Sequence, residues 1–203
     1  MSSRNVDIIV AGVGGQGVIL ATEILGDAAM RAGLEVIIGE VHGMAQRGGS
    51  VTSHVRMGHG IYSPTIVEGS ADVILGFEPT ETLRALKFAN QETTIIMNSK
   101  PIVPITVSAG THKYPPFEEV VKQCKNFTQH VAVLDAFRIA EGVGSSMAVN
   151  MVLLGALTAT ELLPVEEEML VKAIVEHVPA KFKDTSLKAF EAGKIALSPR
   201  QSA

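Results

Sequence analysis

The sequence predicts an α/β fold, a largely parallel sheet with helices on both faces. Three observations point to it: a glycine-rich turn joins an apolar run to an amphipathic segment at Gly12–Gly17, β-branched runs alternate with helical periods as far as Asp135, and the last third carries helical spacing only. The chain has 203 residues, 46% of them hydrophobic, enough for a substantial core. No linker interrupts it, so residues 1–203 are expected to form one domain.

The elements follow in order. The run from Asp7 ends at the turn, and from Val18 the apolar residues Val18, Ala21, Leu25, Ala28 and Ala32 recur at helical spacing, while Glu23, Asp27 and Arg31 occupy another face. Leu34–Glu40 is β-branched and reads as a second strand. Alternation of Val51, Ser53, Val55 and Met57 marks a half-buried strand closed by Gly58-His59-Gly60. Ala71–Phe77 reads as a buried strand leading into a helix with Pro79 in its first turn, and Thr94–Asn98 as another strand. Four prolines, Pro101, Pro104, Pro115 and Pro116, break the next stretch into strand or loop. A helix over about Phe117–Lys125 and a strand at Val131–Asp135 complete the alternation. In the last third, Ser145 or Ser146 is placed to cap a helix with Met147, Met151, Leu154 and Leu157 or Thr158 on one face. Pro164 and the acids Glu166, Glu167 and Glu168 suit the start of the next helix, and a final helix runs around Leu187–Ile195.

Composition excludes several function classes. With 17 basic and 21 acidic residues the net charge is −4, without a basic block, so nucleic acid is not an expected partner. No apolar stretch reaches the 18 or so residues that span a bilayer, and the polar start of the chain is no secretory signal, which leads us to expect a cytoplasmic protein without a membrane partner. A single cysteine, Cys124, cannot form an internal disulfide or supply an iron–sulfur ligand set. The six histidines make no paired ligand motif, and no metal site is expected.

Gly12, Gly14 and Gly17 fit the G-x-G-x-x-G spacing, which makes the fold Rossmann-like and three-layered, with a mixed sheet as the alternative to a parallel one. Missing side chains permit positive φ and let an anion approach backbone N–H groups at a helix N-terminus. Such a turn also serves simply to pack the helix on its sheet. Glu40, about 20 residues on, stands where a dinucleotide fold holds a ribose hydroxyl, so a module for NAD(P) or FAD is the rival reading. A second glycine-rich segment, His42-Gly43-Met44-Ala45-Gln46-Arg47-Gly48-Gly49-Ser50, leaves the second strand at the end where open α/β sheets place ligands. The guanidinium of Arg47 beside flexible backbone suits a carboxylate or phosphate, although a loop arginine also serves as a surface ion-pair partner. His42 reads as a loop histidine bonded to backbone before it reads as a proton carrier.

The pairing of Gly12-Val13-Gly14-Gly15-Gln16-Gly17 with Arg47-Gly48-Gly49-Ser50, followed by Ala71-Asp72-Val73-Ile74 and by Asn150–Ala156, resembles the gamma subunit or domain of 2-oxoacid:ferredoxin oxidoreductases. Gly76-Phe77-Glu78-Pro79 and Leu187–Gly193 bring it nearest to the beta subunit of the indolepyruvate type, and the likeness runs from about Asp7 to Lys194. The resemblance implies an accessory subunit that is inactive alone. Such enzymes decarboxylate a 2-oxoacid on thiamine diphosphate, pass electrons through iron–sulfur clusters to ferredoxin, and transfer the acyl group to coenzyme A. The larger alpha subunit is implied to hold the thiamine and the clusters. That division agrees with the lone cysteine and with the want of a Gly-Asp-Gly run with a downstream asparagine. On this reading Gly12, Gly14, Gly15, Gln16, Gly17, Arg47, Gly48, Gly49 and Ser50 face coenzyme A or the substrate carboxylate, and His42, Gln46 and Asn150 contact substrate or partner. For Asn150 a bond to neighbouring backbone ranks first. No residue is assigned a catalytic role.

Overall fold

The computed structural model describes residues 5–43, 48–103 and 113–198. Its strands are β1 (Val6–Val13), β2 (Glu35–His42), β3 (Ser50–Gly58), β4 (Val73–Gly76), β5 (Thr94–Asn98) and β6 (Val131–Leu134). Its α-helices are α1 (Val18–Arg31), α2 (Pro79–Ala85), α3 (Phe117–Phe127), α4 (Ala136–Gly142), α5 (Val149–Thr158), α6 (Glu167–His177) and α7 (Lys183–Leu197).

The strands form one sheet in the order β2-β3-β1-β4-β5-β6. β1, β4, β5 and β6 are parallel, whereas β3 runs antiparallel to both β1 and β2. The sheet is therefore mostly parallel with one reversed strand. Reversal follows from the short connection between β2 and β3, which is too brief for a crossover helix and turns the chain straight back. The register of β3 on β1 is pinned where Asp7 opposes Arg56: the guanidinium donates from Nε to Oδ1 at 2.9 Å and from Nη2 to Oδ2 at 3.1 Å.

Side chains of the central strands alternate between two cores. Ile8, Val10, Val73, Leu75 and Ile96 face α1, α4 and α5, with α6 and α7 behind, while Ile9, Ala11, Ile74, Ile95 and Met97 face α2 and α3. Such uninterrupted apolar runs are what a strand covered on both faces requires. α6 is tied to α1 at the surface by Arg31 with Glu176 and by His177 with Asp27, and Asp27 also meets Arg31 one turn away, as the step-of-four spacing anticipates.

The C-terminal third departs from the sequence reading in five ways. No serine caps α5: Ser145 precedes a 3-10 turn, Ser146–Ala148, and neither the turn nor α5 has a side-chain cap. Met147 lies 84% exposed, not on the face of Met151, Leu154 and Leu157. α5 has no single apolar face because Val149–Leu157 are all buried, between the sheet and α7. α4 was not foreseen; Asp135, read only as the end of a strand, caps it by accepting from Arg138 N at 2.9 Å. The final helix also starts earlier, at Lys183.

Two glycines let α5 and α7 touch backbone to backbone. A methyl group on Gly155 would lie 1.8 Å from the Phe190 carbonyl oxygen, and one on Gly193 would lie 1.9 Å from that of Val152. Gly155→Ala is expected to destabilise the chain by about 2–3 kcal/mol through overpacking. Urea unfolding checks this: an unchanged midpoint would show that the helices can part without cost.

Candidate functional site at the carboxyl edge of the sheet

Starting from β1 the chain first builds outward through β2 and β3, then returns to build β4, β5 and β6 on the other side. The gap between the ends of β1 and β4 is thus the switch point where open α/β sheets place their ligands. Both glycine segments meet there. Gly14 donates its N–H to the Gly49 carbonyl at 2.8 Å and accepts from Gly48 N at 3.3 Å, extending the β1–β3 ladder into the turn.

The glycines have different tasks. Gly12 is a packing position, since a methyl group there would lie 2.8 Å from Phe77 Cβ and from Val18 Cγ2. Gly15 and Gly17 have φ of 102° and 80°, and Gly48 has 74°, the left-handed region that favours glycine. A methyl on Gly15 or Gly48 would meet open space, whereas Gly17 is pressed against the Asn150 side chain. Gly17 is also the N-cap of α1, with no side-chain cap and no acid in the first turn. That leaves, among the described residues, a helix start whose first donors have no acceptor and whose positive end faces no acid of its own first turn.

Gln16 is a brace within this edge. Its Oε1 accepts from Val13 N at 2.7 Å, and its Nε2 donates to the Phe77 carbonyl at 2.9 Å, so both ends of the amide are engaged by backbone. Asn98, which ends β5, donates from Nδ2 to the same carbonyl at 3.1 Å and accepts from Ala136 N at 3.1 Å. The amide chain ties the ends of β1, β4 and β5 to the start of α4.

Two buried carboxylates complete the edge. Glu78 is the N-cap of α2: its Oε2 accepts from Thr80 N at 2.7 Å and Glu81 N at 3.1 Å. Its Oε1 accepts from Ile102 N at 3.2 Å and from the Tyr114 hydroxyl, so one oxygen holds two chain segments twelve residues apart in sequence. Burial, then this bond, raise the Tyr114 phenol above its ordinary value. Glu81, 4% exposed, accepts from Ser50 Oγ at 2.5 Å and from Arg84. Ser50 is thus turned toward α2, fixing the exit of the second glycine segment.

Of the residues singled out from sequence, the structure brings Gly12, Gly14, Gly15, Gln16, Gly17, Gly48, Gly49, Ser50 and Asn150 to one edge. Gln46, Arg47 and the side chain of His42 lie outside the described residues. Asn150 is buried, and its Oδ1 accepts from Met151 N at 3.0 Å, the neighbouring-backbone bond expected of it. Glu40 is displaced from the dinucleotide position: it pairs with Ser53 of β3, which intervenes between β2 and β1. Two strand spacings, about 9–10 Å, then separate it from the turn. Glu78, Glu81, Asn98 and Tyr114 were missed, although Glu78 before Pro79 carried the signal of a helix start.

Comparison with known proteins decides the family. The family model for pyruvate ferredoxin/flavodoxin oxidoreductase matches residues 7–196. The chain belongs to this family. It is 45% identical to the indolepyruvate oxidoreductase subunit IorB of Archaeoglobus fulgidus, over 97% of this chain and 98% of that one, and 41% identical to the IorB of Thermococcus kodakarensis, over 94% and 95%. The crystal structure of a keto/oxoacid ferredoxin oxidoreductase gamma subunit from Geobacter sulfurreducens matches with a TM-score of 0.68 at 25% identity, covering 95% of this chain and 98% of that one. The chain is therefore a subunit of an oxidoreductase complex of the 2-oxoacid:ferredoxin class and has partner subunits. No helix among the described residues is long and apolar enough to cross a membrane.

Two measurements test the buried ionisable groups, Glu81 at the edge and Cys124 in the core. Burial raises the Glu81 carboxyl and Glu78 adds to it, against the Ser50 and Arg84 contacts. A raised folded value favours the protonated fold, so this contribution to stability is complete in acid and lost as pH rises through the folded value. Glu81→Gln should match the native chain in acid and exceed it in stability at pH 8; a stability gap that does not widen with pH would contradict the assignment. Cys124 is fully buried in α3, and burial pushes its thiol up to about 11 from 9.0. The native thiol should then react with an alkylating reagent about 100-fold more slowly at pH 8 than in the unfolded chain.

Proposed function

We propose that this chain is the accessory subunit of a cytoplasmic, thiamine diphosphate-dependent indolepyruvate-type oxidoreductase that converts a 2-oxoacid to acyl-CoA and reduces ferredoxin. The near-complete overlap with subunits named for indolepyruvate carries the reading. The chain would act as one domain over residues 1–203 and would be inactive alone. A larger alpha subunit would hold the thiamine diphosphate and the iron–sulfur clusters, and ferredoxin would meet the complex rather than this chain.

The donor set of this chain does not suit a cluster. Its one cysteine is fully buried and its thiol is shifted away from the thiolate that binds iron. Thiamine supplies the carbanion chemistry when bound to the partner. What this chain supplies is an anion-receptive edge. Gly14 joins the two glycine segments, Gly15 and Gly48 are open on their outer sides, and the start of α1 is uncapped. We infer that this edge lines a cleft against the alpha subunit and contacts coenzyme A phosphate or the 2-oxoacid carboxylate, with Arg47 as its cation. Gln16 and Ser50 serve there as supports, because their polar atoms are already bonded to protein.

The dinucleotide reading loses its ribose partner, as Glu40 lies on the far side of β3. Arg47→Ala in the reconstituted complex should raise the KM for coenzyme A or for the 2-oxoacid about tenfold or more, the cost of one charge-assisted bond. Steady-state constants unchanged for both would discard the role.

A further inference from the structure

Two buried carboxylates stand at the start of α2, and they are satisfied very differently. Glu78 accepts from Thr80 N, Thr80 Oγ1, Glu81 N, Ile102 N and the Tyr114 hydroxyl, which fills a carboxylate's capacity and caps the helix without help. Glu81 accepts only from Ser50 Oγ and Arg84 among the described residues. The Arg84 side chain is 64% exposed, so water screens much of that pair. The buried partner of Glu81 is thus the Ser50 hydroxyl, 2.5 Å away.

Stability does not account for a carboxylate in that place. Burial and the neighbouring Glu78 both disfavour its charge, and the first turn of the helix is already capped by Glu78. What Glu81 touches is the start of β3. Ser50 lies opposite Val13 in the β1–β3 register, and its carbonyl accepts from Gly43 N at 3.1 Å. The two residues before it, Gly48 and Gly49, make the bonds to Gly14. Glycine imposes no backbone conformation of its own, and Gly48 stands at a positive φ. This stretch is therefore placed by what grips its two sides, Gly14 on one and, through Ser50, Glu81 on the other.

We propose that Glu81 is a positioning residue for the 2-oxoacid reaction: its bond to Ser50 holds Gly48 and Gly49 against Gly14 and so sets the spacing of the edge. The inference rests on the reading that this edge meets an anion of coenzyme A or of the 2-oxoacid. A charged acceptor fixes a hydroxyl more firmly than a neutral one, and a shift of about 1 Å in a positioning group is enough to lose activity. That gain is what the buried charge secures at the expense of stability.

The test has two arms. In the full chain, Ser50→Ala and Glu81→Ala should each speed amide hydrogen exchange at Gly14, Gly43 and Gly48 about tenfold, with Val55 in the middle of β3 unchanged and thermal unfolding confirming the fold. In the reconstituted complex each should raise the KM for coenzyme A or the 2-oxoacid about fivefold with kcat within about twofold, and the double variant should be no worse than either single one, because both remove the same bond. Glu81→Gln, a neutral acceptor, should give an intermediate KM although it makes the chain more stable at pH 8, a split that a merely structural role would not produce. Exchange unchanged at the three glycines, native constants in both alanine variants, effects that add in the double variant, or a native KM in Glu81→Gln would overturn the role. Arg47→Ala raising a KM that Ser50→Ala leaves alone would overturn this inference only. Loosened glycines with native constants for every variant, Arg47→Ala included, would discard the anion edge itself.

Discussion

One carbonyl oxygen, that of Phe77, organises the functional edge. It receives Gln16 Nε2 from the β1 turn and Asn98 Nδ2 from the end of β5, and it immediately precedes the residue that caps α2. A parallel sheet leaves its strand ends unpaired, and loops leaving them are free to diverge unless side chains connect them. Here two amides and a carboxylate do so. Each of the bonds is worth only about 1 kcal/mol net, but they are buried and share partners, so losing one exposes the others as unsatisfied groups. The glycine turn consequently has a fixed frame on the side facing β4, and its outer side, at Gly15, is left open.

The second constraint comes from beneath. α5 is buried all round, because Gly155 and Gly193 let α7 close on it without intervening side chains. Held in this way, its first turn carries Asn150 up against Gly17, where any side chain at Gly17 would collide with the amide. Packing in the C-terminal third is thereby coupled to the geometry of a turn near the N-terminus. Asn150 and Gly17 are therefore constrained together: each limits what the other can be.

Much of this was legible in the sequence because local rules governed it. The turn, α1, the strand alternation and Pro79 in the first turn of α2 all follow from periodicity and backbone preference. What was not legible depends on which strands are neighbours. Nothing in Ser50–Gly58 itself announces that the strand slots between β1 and β2, yet that placement removes Glu40 from the turn and brings Gly48 and Gly49 to Gly14. Glu81 reads as an ordinary acid in a first helical turn, where it favours the positive end of the helix; only the tertiary approach of Ser50 reveals it as a buried acceptor. Steps of four and three put Met147 on a core face with Met151 and Leu154, and the 3-10 turn before α5 rotates it out. Periodicity carries no information about such a change of pitch.

Division of labour in the complex follows from the same edge. On the proposed division, in which the partner holds the clusters, this subunit would contribute to the redox reaction through what it excludes, orients or charges, and all three need donors fixed before the ligand arrives. Backbone N–H groups suit that task better than lysines would, because their directions are set by the fold and ordering them costs nothing further on binding. On the proposed reading the open glycines and the start of α1 would supply such donors, and the buried carboxylates stand behind them, already paired with hydroxyls and backbone, so their charge would not compete for the anion. Were Glu78 and Glu81 free to turn toward the glycine segments, the edge would repel the anion proposed for it. Their burial and bonding are therefore as much a part of the proposed anion site as the glycines themselves.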